Sequence, residues 1–157
     1  MCEYCGCQSL TAIADLTREH DHVVTLISHV RAAHARGDVE EMADLAGRIA
    51  TVLGPHTAVE EEGLFPALAA DFPDHVAELT AQHRLIENVL GAAADGVPAD
   101  PLWPTRLIDT LHVLREHILA EQDGVFPAAL GHLDTADWDA IEEVRRRVGT
   151  GLVKQLH

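Results

Sequence analysis

The sequence predicts an all-α fold, a four-helix bundle with one additional C-terminal helix, and three observations point to it. Ala, Leu, Val, Ile and Glu dominate a chain of 157 residues, a balance that favours helices. Apolar residues recur at intervals of three and four along four long stretches, which turn-forming Gly, Pro and Asp clusters separate. A histidine–carboxylate pattern also occurs twice, as His56-Thr57-Ala58-Val59-Glu60 and His117-Ile118-Leu119-Ala120-Glu121. Each is followed by a matching tail, Glu62-Gly63-Leu64-Phe65-Pro66 and Asp123-Gly124-Val125-Phe126-Pro127.

Length and charge bound the rest. The chain is long enough for one domain with a core, and 47% of its residues are hydrophobic. A net charge of −15 argues against nucleic acid, whose phosphates need a basic face, and against an anionic membrane surface. No apolar run approaches the roughly 20 residues of a membrane span. The start Met-Cys-Glu-Tyr-Cys-Gly-Cys-Gln has neither a basic beginning nor an apolar stretch, which predicts a cytoplasmic protein.

Residues 1–8 read as a Cys-rich tail and 9–157 as the helical domain. Cys2, Cys5 and Cys7 crowd one end, which is no disulfide framework. As thiolates they can bind a soft metal or relay electrons, but three are one short of a closed tetrahedral zinc site. The plainer reading is a tail of reduced thiols.

Helix one starts near Ser9 or Thr11, both good N-caps, and runs to about Ala35, before Gly37. Leu16, Val23, Leu26, Ile27 and Val30 form its stripe; His22 is assigned to that stripe, His20 and His34 to solvent, and His29 is a weaker candidate. Helix two opens on Asp38-Val39-Glu40-Glu41, a capping-box pattern. It carries Met42, Leu45, Ile49, Val52 and Leu53 inward, with a kink or restart expected at Gly54-Pro55. Of Glu60, Glu61 and Glu62 only Glu60 is four residues from His56; Glu61 is the spare and Glu62 is solvated. Pro66, like Pro127, should kink or end its helix.

Helix three spans about Asp74 to Asp95, with Val76, Leu79, His83, Ile86, Val89 and Leu90 inward. Glu87, four residues after His83, shares that face, either as a metal ligand or as an acceptor that orients a ligand imidazole. Helix four, capped by Asp100 with Pro101 in its first turn, runs to about Leu130. It also contains His112 and Glu116, an HxxxE pair with no counterpart in the other half, which reads as a surface pair. Thr135-Ala136-Asp137-Trp138 starts the last helix, which runs to about Leu156 and carries Arg145, Arg146 and Arg147, solvated or paired with carboxylates.

On a helix, residues four apart share a face, so each HxxxE pair can turn an imidazole and a carboxylate towards one metal centre. His22 precedes His56 by 56 − 22 = 34 residues, and His83 precedes His117 by 117 − 83 = 34. This common register, with the halves 61 residues apart (117 − 56), selects His22 and His83 as the lone histidines. Imidazole with carboxylate suits iron, manganese or zinc.

The pattern H…HxxxE…H…HxxxE, with its Phe-Pro tails, resembles the hemerythrin-like proteins of the HHE cation-binding type over about Leu16 to Leu130. The resemblance implies an up-down-up-down bundle and two non-haem iron ions, carboxylate-bridged and oxo- or hydroxo-bridged. Its ligands would be His22, His56, Glu60, His83, His117 and Glu121, with Glu87 added from its helix face. Gln122 stands where hemerythrin proper has an aspartate, so the likeness is to the HHE variant. Two six-coordinate irons held this way keep about one position open, enough for a small diatomic molecule or peroxide. The function implied is binding or sensing of O2, NO or peroxide, with at most a weak peroxidase or catalase-like activity. The alternative is iron storage or delivery through the CxxCxC tail.

Overall fold

The structure, a computed structural model, describes residues 7–152. Among these residues it is helical throughout, without a strand. Helix α1 (Cys7–Ala35) leads through a turn to α2 (Val39–Val59). A π turn over Glu60–Leu64 continues α2 into the short α3 (Phe65–Leu68). Helices α4 (Pro73–Gly91) and α5 (Trp103–Ala120) follow; a second π turn over Glu121–Val125 carries α5 into α6 (Phe126–His132). Helix α7 (Thr135–Val148) comes last. The rods pack as a ring, α1 on α2, α2 on α4, α4 on α5 and α5 on α1, with α7 lying against α1, α2 and the first π turn. No helix among the described residues is long and apolar enough to cross a membrane.

Local chemistry explains most boundaries. Asp38 caps α2 by accepting the Glu41 N–H at 3.1 Å. Asp134 and Asp137 form a reciprocal capping box at the start of α7. Helix α5 begins two residues later than its expected first turn at Pro101, because Asp100 accepts the Leu102 N–H instead of capping. Helix α1 reaches back to Cys7, and Cys2 and Cys5 lie outside the described residues. The last helix stops at Val148, short of its expected end near Leu156, because Gly149 leaves the helical conformation with a φ of 71°.

Pro55, Pro66 and Pro127 neither restart nor end the rods. Helix α2 runs on through Pro55. Pro66 and Pro127 do not end their helices either. In each, the turn just ahead widens, so that the Phe65 N–H reaches the Glu60 carbonyl and the Phe126 N–H that of Glu121. A proline ring clashes with the carbonyl four residues back, and one extra residue per turn relieves that clash while the rod continues. Such π turns favour functional sites, and both begin on the HxxxE glutamates.

Two apolar clusters fill the interior. One gathers Val23 to Ala33 of α1, Met42 to Leu53 of α2, Ile86 to Leu90 of α4 and Trp103 to Ile118 of α5. The other gathers Leu16, Val59, Leu64, Phe65, Leu79, Val125, Phe126, Trp138 and Ile141. Between them, in all four rods, lies a layer of buried polar side chains: Glu19, His20, His56, Glu60, His83, His117 and Glu121. Apolar packing flanks that layer on both sides.

Candidate metal centre

Four imidazoles and two carboxylates converge in this layer. His20 and His56 form one pair, ring centroids 4.6 Å apart and tilted by 47°. His83 and His117 form the other, at 4.7 Å and 48°; their Nε2 atoms lie 3.1 Å apart. Glu60 and Glu121 stand between the pairs. Glu60 turns Oε2 to His56 Nε2 (3.3 Å) and Oε1 to His83 Nε2 (3.1 Å). Glu121 turns Oε1 to His20 Nε2 (3.0 Å) and Oε2 to His117 Nε2 (3.2 Å). Each carboxylate is thus shared between both pairs.

The far side of every ring is also held. Gln122 Oε1 takes His20 Nδ1–H at 2.9 Å, and Glu19 Oε1 takes that of His56 at 2.9 Å. Glu61 Oε2 takes that of His83 at 2.6 Å, and Gln82 Oε1 that of His117 at 2.7 Å. Because these oxygens only accept, they fix the ring proton on Nδ1 and leave the Nε2 lone pair facing inward, the form that binds a metal. Phe126 stacks on His20 (5.6 Å, 11°) and Phe65 on His83 (5.7 Å, 11°). The Phe of each tail therefore braces a ring of the opposite half.

The layer fits a cation. Among the described residues, His56 Nε2 and all four oxygens of Glu60 and Glu121 are buried without a hydrogen-bond partner, the imidazoles and carboxylates facing one another at 3.0–3.3 Å. Orphaned buried polar atoms are rare and costly, and here they all face one spot. Two overlapping donor groups result, His20, His56, Glu60 and Glu121, and Glu60, His83, His117 and Glu121. The electrostatics point the same way. Burial alone would depress His56, but the Glu60 charge and the bond to Glu19 raise it to about 10. Against a similar burial penalty, the adjacent Glu60 carboxylate raises His83; burial would raise Glu60, but the facing His56 holds it well below the ordinary carboxylate range. Protons here take the part of a bound cation.

Of the residues expected from sequence, the structure brings together His56, Glu60, His83, His117 and Glu121. It does not bring His22, which is exposed; His20, expected in solvent, is 1% exposed and faces the site. His20 follows Leu16 by four residues and precedes Val23 by three, squarely on the apolar stripe. The equal 34-residue intervals were coincidental, since the first half spans 56 − 20 = 36. Glu87 is exposed as well: Ile86 and Leu90 take the inward positions, and Glu87 pairs with Arg84, which pairs with Glu61. Sequence reasoning missed Glu19 and Gln82, the residues just before His20 and His83. Glu19 lies three residues after Leu16, a signal that was available. His29 and His112 are exposed.

A cavity of about 190 Å³ reaches all four imidazoles from between α2 and α4, walled by Leu53, Gly54, Ile86, Leu90, Gly91 and Leu114, with Thr57 and Glu87 also lining it.

The hemerythrin HHE cation-binding domain matches residues 11–129. The chain belongs to that family. Comparison with curated proteins and with solved structures gives no match. The HHE match covers every donor in the layer and stops within α6, so α7 lies beyond it.

Proposed function

We propose that this HHE domain is a non-haem di-iron protein that binds or senses O2, NO or peroxide. One observation carries the reading: Glu60 and Glu121 each divide their two oxygens between the two histidine pairs, and none of the four oxygens is otherwise engaged. That is the arrangement of carboxylates that bridge two ions. Four imidazoles with two carboxylates suit iron. The up-down-up-down course of the rods belongs to this reading, supported by their ring of contacts and the short connections at 36–38 and 69–72.

Iron bound there would supply one-electron chemistry and open coordination positions. The chain's own residues do the rest. Glu19, Glu61, Gln82 and Gln122 lock the rings so that Nε2 faces inward. With Glu87 outside, the four imidazoles and two carboxylates would hold the ions and still leave them coordination positions for a small ligand. The apolar cavity admits a molecule of a few atoms and keeps bulk water away. The test is anaerobic loading with ferrous iron, followed by exposure to O2, NO or peroxide. Two irons per chain and a ferric spectrum perturbed by azide are expected; one iron or none, or a spectrum indifferent to every small ligand, overturns the proposal.

A further inference from the structure

The two histidine pairs match on the inside and differ on the outside, and the difference comes from α7. Glu19, which holds His56, is 1% exposed and all its bonds are taken. Arg145 of α7 grips it with both guanidinium nitrogens, Nη2 to Oε1 at 2.8 Å and Nη1 to Oε2 at 2.7 Å. Thr150 donates its hydroxyl to Oε2 at 2.7 Å. The chain after α7 is shaped for this. Gly149 takes a positive φ of 71°, which a side chain would strain, and its carbonyl accepts a second bond from Arg145 at 2.9 Å. Gly151 lies against the Thr51 carbonyl, the one that Pro55 leaves without its helical donor; a Cβ at 151 would fall 2.1 Å from that oxygen.

Among the described residues the other pair has no such clamp. Gln82, behind His117, occupies the position equivalent to Glu19 as a neutral amide with no second partner in its bond to the ring. Glu61, behind His83, is partly exposed and pairs with the exposed Arg84.

We infer that α7 and the turn after it form a positioning element for one metal position only: Arg145 and Thr150 fix Glu19, Glu19 fixes His56, and the ion at His20 and His56 is held more firmly than the ion at His83 and His117. Each pair is backed by one carboxylate and one amide, but only Glu19 is buried and immobile, so its imidazole is the better held donor; such outer partners change metal affinity about 10- to 100-fold. Arg suits the task because its planar fork meets both carboxylate oxygens at once. The inference rests on the proposal that this site binds two ions.

The test is titration of the chelator-stripped, full-length protein with Co2+, followed by its visible absorption and by calorimetry. Wild type should take up two Co2+ in unequal steps. Arg145→Ala should weaken one step about tenfold or more and leave the other within about threefold. That weakened step must be the one that survives in His83→Ala. Arg145→Lys should restore part of the loss. Arg147→Ala removes another α7 ion pair, to Glu62, and should move neither step. Thr150→Val removes one bond to Glu19 with α7 intact and should weaken the same step by less; no change in that variant overturns the inference even if Arg145→Ala fails to fold. Equal weakening of both steps by Arg145→Ala, or the same effect from Arg147→Ala, overturns it too. Wild-type protein that binds no Co2+ would sink the metal reading itself, whereas two Co2+ with an indifferent Arg145→Ala would sink only this inference.

Discussion

The half of the centre around His20 and His56 can be set against the half around His83 and His117. Their inner geometry agrees closely: centroids at 4.6 and 4.7 Å, tilts of 47° and 48°, Phe rings stacked at 5.6 and 5.7 Å. Their surroundings do not agree. Each half has one carboxylate and one amide behind its rings, but the carboxylate of one half, Glu19, is buried and clamped by α7, while that of the other, Glu61, is partly exposed. A duplicated unit keeps what touches the ion and is free to vary one layer out, because imprecision among the donors is costly while several acceptors can hold an Nδ1–H.

The shared residues should produce the largest effect, because they do not distinguish the halves. Glu60→Ala or Glu121→Ala removes oxygens that serve both pairs, and both ions should be lost together, as measured by metal content per chain. A variant that keeps a full complement would show that the carboxylates do not bridge. Metal removal should also lower the melting temperature, since an ion that binds only the folded state contributes about 2.7 kcal/mol at 100 times its dissociation constant. Next comes the choice between neighbours: His20→Ala should lose the ion of its own pair and His22→Ala should lose nothing. Metal content decides this directly, and the reverse result would undo the assignment.

That choice also marks how far the sequence could be read. The helices and five of the six residues that face one another in the layer follow from apolar spacing and from HxxxE, because both are local patterns with a fixed helical geometry; the last helix, expected to reach about Leu156, stops at Val148. His20 escapes because His22 is taken as the member of the first helix's stripe, and the equal intervals between helices reinforce that misassignment. Loop lengths drift between duplicated halves, and helix faces do not. Glu87 failed for a related reason: i+4 brings a side chain near a face, but Ile86 and Leu90 fill the inward positions of α4. The Phe-Pro tails were visible as motifs without a role. Their role depends on contact between halves, each Phe on the other half's imidazole, and no local pattern carries that. Arg145 was read as one of three equivalent charges on α7; only the fold singles it out.

The halves should also respond differently to pH once stripped of metal. Glu19 has its folded pKa lowered to about 2 from 4.5: burial would raise it, but bonds from His56, Arg145 and Thr150 prevail. Its contribution is therefore complete above pH 4.5 and is lost as the pH falls from 4.5 towards 2. His56 works in the opposite sense. Raised from 6.5 to about 10, it stabilises fully below pH 6.5 and progressively less as the pH climbs to 10. Gln82 titrates nowhere, so the acid limb should flatten in Glu19→Gln and stay unchanged in Gln82→Ala, as read from urea midpoints across pH. The acid loss should be about 3 kcal/mol, the size of a broken buried ion pair.

The smallest effect tests the same contrast without metal or protons. Gly63 and Gly124 occupy equivalent places in the two π turns, 124 − 63 = 61 residues apart. Only Gly63 is covered by α7: a Cβ there would lie 3.1 Å from the Ile141 Cα, while at Gly124 nothing comes within 4 Å. Backbone on the far side leaves Gly63→Ala no flexible neighbour to push aside, and overpacking of this kind costs about 1–3 kcal/mol. Gly124→Ala meets open space and reduces the freedom of the unfolded chain, so it should be neutral or stabilise by up to about 1 kcal/mol. Thermal or urea unfolding of the two variants gives the comparison. Equal shifts would mean that α7 does not press on its half of the bundle as closely as the structure has it.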